Sequence, residues 1–313
     1  MKSALTTPEI SVIICAHNPR MDYLERVLEG LRSQTLPKER WELLVIDNQS
    51  DPKLESGTRL GWHPSAGIKR EEELGLTPAR LRGIQEARGE LLVFCDDDCV
   101  LRPDYLETAQ RISREHPRLG AWGGTVSPDF ETHPPDWTRE HWPRLAIREV
   151  MKEIWSNTRG YPDTTPCGAG MCARKVVAQE YGRQVRHDPV RLNLDRKGTS
   201  LVSGGDDDLA WTAHDLGLGT GLFPGLALKH LIPSSRLEEE YLLRLVEAQS
   251  YSGVIVAEFH GGSVVVLPGP TRRQLGRLKR RVFMRTRPRR FLEARLAGQE
   301  RALRDLRKTE GKA

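Results

Sequence analysis

The amino-acid sequence predicts a doubly wound α/β fold, in which helices cover both faces of a mixed β-sheet. Three segments are nearly continuous apolar runs, the pattern of strands that are buried on both faces: residues 10–16, 41–47 and 91–94. Segments with apolar residues at helical spacing lie between these strands, at residues 23–34 and 77–87. Strands that alternate with helices in this way favour a sheet with right-handed crossovers.

Each of the two helices between these strands has boundary residues of the expected type. In the first helix the apolar positions recur at helical spacing: Leu24, Val27, Leu28 and Leu31. Pro37 follows this helix, because proline cannot continue the helical hydrogen-bond pattern. The second helix is predicted to begin with Thr77 as its N-cap and Pro78 as its first helical residue, and Gly89 follows its end.

Beyond residue 100 the pattern is less regular, and long polar segments separate the predicted elements. Residues 127–142 are rich in Pro, Trp and His without a clear period, so we predict a long ordered loop, which in a compact domain is usually functional. Residues 188–201 are polar and are predicted to form a mobile loop. The other predicted elements, in chain order, are a helix at 105–115, a strand at 119–125, a small-residue strand at 167–174, a helix at 209–216, an edge strand at 222–230 and a helix at 238–251.

Polar side chains follow the three parallel strands at their carboxyl ends: His17, Asp47 and the triplet Asp96-Asp97-Asp98. Ligands bind at this edge of open α/β sheets, so we expect these groups to share one site. Three adjacent carboxylates repel one another, and a cation relieves that repulsion. Asp96 and Asp98 point to the same side of an extended chain and offer oxygen ligands to Mg²⁺ or Mn²⁺. The alternative is a solvated acidic turn.

A second acidic triplet, Asp206-Asp207-Asp208, follows two glycines at the predicted start of a helix. Aspartate is a good N-cap, and the helix dipole favours negative charge at this end, but capping explains only one of the three carboxylates. A carboxylate held near a bound metal and phosphate is also suited to act as a general base toward an acceptor hydroxyl.

Three further residues have both a functional and a structural interpretation. Arg80 is either the cation for a phosphate at the same sheet edge or a solvated helix arginine. His17 is either a site residue or a cap. His230 is either a late metal or phosphate ligand or a structural histidine.

Five segments of the chain resemble motifs of family 2 glycosyltransferases, which have the Rossmann-like GT-A fold. They occur in the family's order across residues 9–232, and ordered motifs are more specific than a single acidic triplet. The segments are residues 11–18 (SVIICAHN), 44–50 (LVIDNQS), 75–84 (GLTPARLRGI), 93–98 (VFCDDD) and 204–209 (GGDDDL). His230 and Arg236 lie in a sixth, less specific segment that is similar to some bacterial members.

The resemblance implies a role for each candidate residue. The residues on the nucleotide side would be Ala16, His17, Asn18, Asp47, Arg80, Asp96 and Asp97. Asp98 would bind the divalent metal, Mg²⁺ or Mn²⁺, with Asp96 and His230 as further ligands. Asp206 would be the base of an inverting, single-displacement transfer.

The sequence departs from the family pattern at two positions. Gly205 stands where the family usually has an acidic residue before the base, so Asp207 could be the base in a shifted register. Leu81-Arg82 replaces a frequent Arg-Asn pair, which leaves open whether Arg80 or Arg82 reaches the phosphate.

The end of the chain differs from the rest in charge. Residues 271–313 carry 16 Lys/Arg and 4 Asp/Glu, whereas residues 1–270 carry 32 and 39. Apolar residues recur among the basic ones between 272 and 283, which predicts a helix on an anionic membrane surface. The alternative is a solvated helix packed on the globule, and no groove-reading motif favours nucleic acid. We therefore expect a GT-A domain at 1–270, with a nucleotide-binding half (9–125) and an acceptor half (126–270), and a basic helical tail.

Together these features predict a cytoplasmic, metal-dependent, inverting glycosyltransferase, attached peripherally to the inner face of the membrane if the tail binds lipid. A nucleotide-diphosphate sugar would be the donor, and a glycan or lipid-linked hydroxyl the acceptor. One alternative is a nucleotidyltransferase, which would normally have a Gly-rich loop after the first strand, where residues 17–20 have no glycine. The other is a nucleotide-sugar-binding protein without transferase activity. The five cysteines fit a reducing compartment.

Overall fold

A mixed β-sheet forms the centre of the fold. The computed structural model of the chain describes residues 7–54, 60–158, 162–261, 269, 279 and 283–310. The strands within these ranges are β1 (Ile10–Ala16), β2 (Trp41–Asn48), β3 (Ala66–Glu71), β4 (Leu91–Asp96), β5 (Cys99–Leu101), β6 (Leu119–Phe130), β7 (Ile154–Ser156), β8 (Cys172–Arg174) and β9 (Gly219–Ile232). Their order in the sheet is β3-β2-β1-β4-β8-β6-β9-β5, and β7 pairs with β9.

Helices cover both faces of this sheet. They are α1 (Met21–Arg32), α2 (Leu76–Glu86), α3 (Tyr105–Glu115), α4 (Lys175–Val185), α5 (Pro189–Leu192), α6 (Gly205–Asp215), α7 (Glu239–Phe259) and α8 (Thr286–Glu310). Alternate residues of β1 enter different cores. Val12 and Ile14 pack with Leu24 of α1, whereas Ile13 packs with Ile84 of α2. The doubly wound, mixed sheet predicted from the apolar runs is therefore confirmed.

The register of the parallel strands brings their carboxyl ends to one edge. Strand β1 lies between β2 and β4, and it pairs with both in parallel. Cys15 stands opposite both Ile46 and Asp96, and Ala16 stands opposite Asp47. The segments that follow these three strands therefore begin beside one another, as the sequence predicts.

Several boundaries differ from the predicted ones. Helix α2 begins at Leu76 with Gly75 as its N-cap, so Thr77 lies inside the first turn and is not the cap. The N-cap residue has a φ of 140°, a conformation that glycine adopts readily but a β-branched residue such as threonine does not. The small-residue segment at 167–174 is strand only from Cys172, and the preceding residues form a turn beside the cavity described below.

Three segments of the second half differ from their predicted structure. Residues 127–142 are not one loop, because β6 continues to Phe130 and a 3-10 helix spans Asp136–Leu145. Strand β9 is not an edge strand, because β6 pairs with one side of it and β5 and β7 pair with the other. The polar segment 188–201 contains α5 and three buried residues: Arg191, Leu194 and Asp195.

The described part of the basic tail forms a long helix that packs along α7. Helix α8 buries Phe291 and Ala302 against the globule. Arg287 and Arg290 form ion pairs with Glu239 at the start of α7. The predicted membrane helix at 272–283 lies outside the described residues except for Lys279 and Phe283, so that interpretation and the boundary at residue 270 remain predictions. Among the described helices, none is both long and apolar enough to cross a membrane.

Gly298 lets α8 approach α7 closely, and we predict that Gly298→Ala loosens this contact. A Cβ at this position would overlap the backbone carbonyl of Glu247. Overpacking of this kind costs about 1–3 kcal/mol. Hydrogen exchange should therefore show reduced protection of the α8 amides, with a lower midpoint of thermal unfolding.

Gly253→Ala is the matched control, because Gly253 is also helical and nothing lies within 4 Å of a Cβ built there. This variant should be more stable than the wild type by about 0.5–1 kcal/mol, the usual gain for alanine over glycine in a helix. Equal effects of the two substitutions would contradict the close packing of α8 on α7.

Candidate active site

A cavity of about 510 Å³ opens at the carboxyl ends of β1, β2 and β4. Its volume is in the usual range for small-molecule sites. Acidic and basic side chains line it in similar numbers. The acidic ones are Asp96, Asp97, Asp98, Asp195, Asp206 and Asp207, and the basic ones are Arg80, Arg144, Arg148, Arg196, Lys197 and Arg236. Ala16, His17, Asn48 and His230 also line it.

Asp98 lies buried at the centre of a charged cluster. Its Oδ2 is 3.0 Å from Nη2 of Arg236 and 3.4 Å from Nε2 of His230. The thiol of Cys99 donates to Oδ1 across 3.4 Å. Burial alone would raise the pKa of Asp98, but the contacts with His230 and Arg236 hold it well below its usual range. Asp98 is therefore ionised, and a cation already neutralises it.

The hydrogen bonds of His230 place its two ring nitrogens. Its Nδ1 lies 2.9 Å from the carbonyl oxygen of Leu145, so this nitrogen carries a proton. Nε2 lies 3.0 Å from Nη1 of Arg236 and 3.4 Å from Oδ2 of Asp98, so it donates to Asp98 when protonated and accepts from Arg236 when not. In both forms Nε2 faces the cluster that contains Asp98.

These groups fit a divalent cation. A carboxylate oxygen of Asp98, Sγ of Cys99 and Nε2 of His230 all lie within 4.8 Å of one another. Asp96 does not belong to this group but lines the cavity beside it. Because the guanidinium of Arg236 lies against both Asp98 and His230, a metal there would require Arg236 to move.

Asp96 and Asp97 are half-buried and carry perturbed carboxyl groups. Burial and the charge of Asp98 raise the pKa of both, and that of Asp97 reaches about 8. Ionising all three members of the triplet together is therefore unfavourable without an added cation.

Arg80 reaches the cavity floor from α2, and its partner was not predicted from the sequence. Nη1 of Arg80 lies 2.5 Å from Oδ2 of Asp195, and both side chains are buried. Burial raises the pKa of Asp195 to about 6 even though Arg80 lowers it. Arg82 instead pairs with Glu86 on the outside of α2 and does not line the cavity. The structure thus favours Arg80 over Arg82 as the arginine of this site.

Two glycines make room for this buried ion pair. A Cβ at Gly205 would overlap Oδ2 of Asp195, and a Cβ at Gly168 would lie 2.7 Å from Nη2 of Arg80. The carboxylate of Asp195 therefore occupies the space of a side chain at position 205. Gly205 stands where the resemblance implies an acidic residue, and in the fold the carboxylate of Asp195 lies beside it.

The three carboxylates of the second triplet have different surroundings. Asp206 Oδ2 accepts a hydrogen bond of 2.7 Å from the backbone N–H of Gly168, which fixes it at the cavity wall. Asp207 is half-buried, and burial together with Asp206 raises its pKa to about 8. Asp208 is fully buried away from the cavity, where Arg191 and His260 bind it.

Asp47 does not line the cavity. Its carboxylate accepts hydrogen bonds from the backbone N–H of Ser50 and from Arg70, at 2.9 and 2.6 Å. Asp47 therefore shapes the turn after β2, and its neighbour Asn48 faces the cavity. A direct contact between Asp47 and a nucleotide, as the resemblance implies, would have to form beside these bonds.

His17 and Asn18 connect the turns after β1 and β2. Nδ1 of His17 donates to the carbonyl oxygen of Asn48 across 2.7 Å. The side-chain oxygen of Asn18 accepts from the backbone N–H of Asp51 at 2.8 Å. Asn18 has a φ of 47°, a conformation that asparagine tolerates better than most residues. His17 lines the cavity, whereas Asn18 joins the two turns.

Comparison with known proteins identifies the family. The family model described as "Glycosyl transferase family 2" matches residues 11–182, which is more than half of the chain. The chain belongs to glycosyltransferase family 2. The match extends from β1 through β8, and every predicted nucleotide-side residue lies within it.

Two curated relatives are glycosyltransferases of Haloferax volcanii. Glycosyltransferase AglE is 32% identical over 105 residues, which cover 33% of this chain and 34% of the relative. A glucosyl-dolichyl phosphate glucuronosyltransferase is 25% identical over 161 residues, which cover 49% of this chain and 50% of the relative. The chain thus matches half or less of the length of these relatives.

A solved structure supports the fold. The crystal structure of residues 1–349 of TarS from S. aureus matches with a TM-score of 0.52 and 17% identity, over 80% of this chain and 70% of that one. At this identity the likeness concerns the fold alone, and it confirms the predicted GT-A class for this family 2 chain.

We predict that Asp208→Asn destabilises the protein strongly, although Asp208 does not face the cavity. The substitution leaves Arg191 and His260 without their buried carboxylate partner. Removing one member of a buried ion pair typically costs about 3–5 kcal/mol, which chemical denaturation would measure. Asp207→Asn, one residue earlier in the same helical turn, is the control and should not destabilise. Equal losses of stability in both variants would contradict the assignment of a structural role to Asp208 alone.

Asp207 should also make stability depend on pH. Its pKa is about 8 in the folded protein, well above the usual value, so the folded state holds an extra proton between about pH 4 and pH 8. Over that window the wild type should lose stability relative to Asp207→Asn as the pH rises. Denaturation curves of both proteins at several pH values would test this, and a pH-independent difference would contradict the raised pKa.

Proposed function

We propose that this family 2 protein transfers a sugar, with inversion, from a nucleotide-diphosphate sugar to an acceptor hydroxyl. The observation that carries the proposal is the meeting of two acidic clusters with two arginines, the buried Arg80 and the half-buried Arg236, in one cavity at the carboxyl edge of the sheet. Separate acidic clusters suit a reaction that needs both a metal-binding group and a base.

On the donor side, Arg80 and the Asp98 cluster would hold the diphosphate. Arg80 is buried, and Asp195 fixes it, so it offers donors in a constant position to phosphate oxygens. A bound divalent cation would stabilise the negative charge that develops on the departing nucleoside diphosphate. Asp98 and His230 would hold that cation, with Cys99 beside them. His17, Ala16 and Asn48 would contact the nucleotide from the turns after β1 and β2.

On the acceptor side, we propose Asp206 as the base that takes the proton of the attacking hydroxyl. The backbone N–H of Gly168 occupies Oδ2 of Asp206 and orients the carboxylate. Asp207 is the alternative, but with a pKa of about 8 most of it is protonated at neutral pH and cannot accept a proton. A single base and attack from the face opposite the leaving group would give inversion.

The acceptor would be a glycan or a lipid-linked sugar. The relative named glucosyl-dolichyl phosphate glucuronosyltransferase supports a lipid-linked acceptor. The basic tail would then bring the enzyme to an anionic membrane surface, where such acceptors reside. We place the reaction in the cytoplasm, the compartment for which the unpaired cysteines are suited.

We predict that binding and transfer respond differently to substitutions in the two acidic clusters. Asp98→Asn should abolish the extra nucleotide affinity that Mn²⁺ or Mg²⁺ provides, because it removes the central carboxylate of the metal cluster. Asp206→Asn should retain nucleotide binding but lower kcat by about 10²–10⁴-fold, the usual contribution of a general base. Calorimetric titration with a panel of nucleoside diphosphates, with and without metal, and donor turnover would measure both.

Asp207→Asn is the matched control and should retain most of the activity. If Asp207→Asn loses transfer while Asp206→Asn keeps it, the base is Asp207. Failure of every nucleoside diphosphate to bind would overturn the proposed function, and nucleotide binding without any donor turnover would favour a binding protein.

A further inference from the structure

Four of the six arginine and lysine residues that line the cavity fall into two groups. Arg80 and Arg236 are in ion pairs with carboxylates of the site. Arg144 and Arg148 line the same cavity, but within the described ranges no carboxylate lies at ion-pair distance from either. In the part of the chain that the structure describes, the charges of Arg144 and Arg148 are thus not neutralised by a carboxylate in direct contact.

Both unpaired arginines are held by neutral groups. Nη1 of Arg144 donates to the side-chain oxygen of Gln249 across 3.2 Å, and the Gln249 amide donates back to the carbonyl oxygen of Arg144 across 2.8 Å. Nη1 of Arg148 donates to the carbonyl oxygen of Thr165 across 2.7 Å. Each guanidinium has five N–H donors, so both keep donors for a ligand.

The backbone between these arginines allows both to line the cavity. The 3-10 helix Asp136–Leu145 is followed by Ala146 as its C-cap, and Ala146 has a φ of 61°. This left-handed conformation is unusual for alanine. The chain then turns back so that Arg148 pairs with Val126 of β6, and both arginines line the cavity from one short segment.

A half-buried guanidinium without an anionic partner is unfavourable unless a bound anion neutralises its charge. Both side chains are half-buried, and removal of a cation from water costs free energy when no anion replaces the water. Burial and the neighbouring Arg295 lower the pKa of Arg144, which reports this cost. A segment that holds two such arginines in fixed positions is suited to bind an anion.

Arg148 lies near the carboxylates of the second acidic triplet. The charge of Arg148 acts on Asp207, whose pKa it lowers against burial and Asp206. Arg148 acts in the same way on the thiol of Cys167, which precedes the Gly168 that binds Asp206. An anion at Arg148 would therefore lie near the carboxylates that we assign to the acceptor hydroxyl.

We propose that Arg144 and Arg148 form a subsite for a phosphate ester carried by the acceptor. The assignment of this ester to the acceptor of a transfer reaction rests on the proposed function. Two guanidinium groups match the charge and the several acceptor oxygens of a phosphate better than those of one carboxylate. The phosphate could belong to a lipid phosphate or to a sugar or polyol phosphate, and the chemistry of recognition is the same.

Binding of two phosphate esters to the full chain tests this subsite. The probes are farnesyl phosphate, for a lipid phosphate, and sn-glycerol 3-phosphate, for a polyol phosphate, with farnesol and glycerol as uncharged counterparts. At least one ester should bind to the wild type while its alcohol does not. Arg144→Gln and Arg148→Gln should each weaken that binding about tenfold or more, because each removes charge-assisted hydrogen bonds.

Arg139→Gln is the matched control, since Arg139 lies on the same 3-10 helix with its side chain 68% exposed. It should leave ester binding unchanged. The inference is overturned if neither ester binds, or if binding is equal in the wild type, Arg144→Gln and Arg148→Gln, as it would be for binding through the basic tail. Preference for one ester over the other identifies the source of the phosphate.

Nucleoside diphosphate binding in the same samples separates this inference from the proposed function. Nucleotide affinity should be unchanged in Arg144→Gln and Arg148→Gln, because Arg80 and Asp98 remain. If no nucleotide binds but a phosphate ester binds with the expected arginine dependence, the proposed function fails and the anion subsite stands. If nucleotide affinity falls as much as ester affinity in these variants, the arginines belong to the donor site and the inference is overturned.

Discussion

The neutralisation of buried carboxylates by arginine is the interaction on which the rest of this site depends. The parallel strands end at one edge, and their register places β4, and with it the first acidic triplet, inside the cavity. An unpaired buried charge in this place costs free energy. Arg236 neutralises Asp98, and Arg80 neutralises Asp195. Each arginine comes from a different segment, so these pairs also hold the two halves of the cavity together.

The second triplet shows how one helical turn can serve both stability and chemistry. Asp208 points into the protein, where Arg191 and His260 tie α6 to α5 and to the end of α7. Asp206 faces the cavity, held by the backbone of Gly168. Asp207 lies beside it, half-buried and with a raised pKa. The anchoring of Asp208 therefore fixes the position of the two carboxylates that we consider for catalysis.

The donor half of the fold could be predicted because its signals are local. A strand such as β1 reads as an apolar run, and the residue after it lies at the ligand-binding edge whatever the rest of the chain does. Asp195 could not be found in this way. It lies in a polar segment that reads as a mobile loop, and its importance comes from Arg80, 115 residues earlier in the chain. The same holds for the turn after β2, where Asp47 binds Arg70 in a contact that the sequence does not reveal.

The departure at Gly205 illustrates why single positions mislead when a site is built from distant segments. Read alone, the glycine suggests that an acidic group is missing and that the base is shifted by one residue. In the fold, Asp195 fills the space beside Gly205, so a carboxylate lies next to this position without a shift in the register of the triplet. A larger residue at position 205 would displace Asp195 and leave Arg80 without its partner. The glycine and the aspartate are thus one structural solution, and they support Asp206 rather than Asp207 as the base in the proposed reaction.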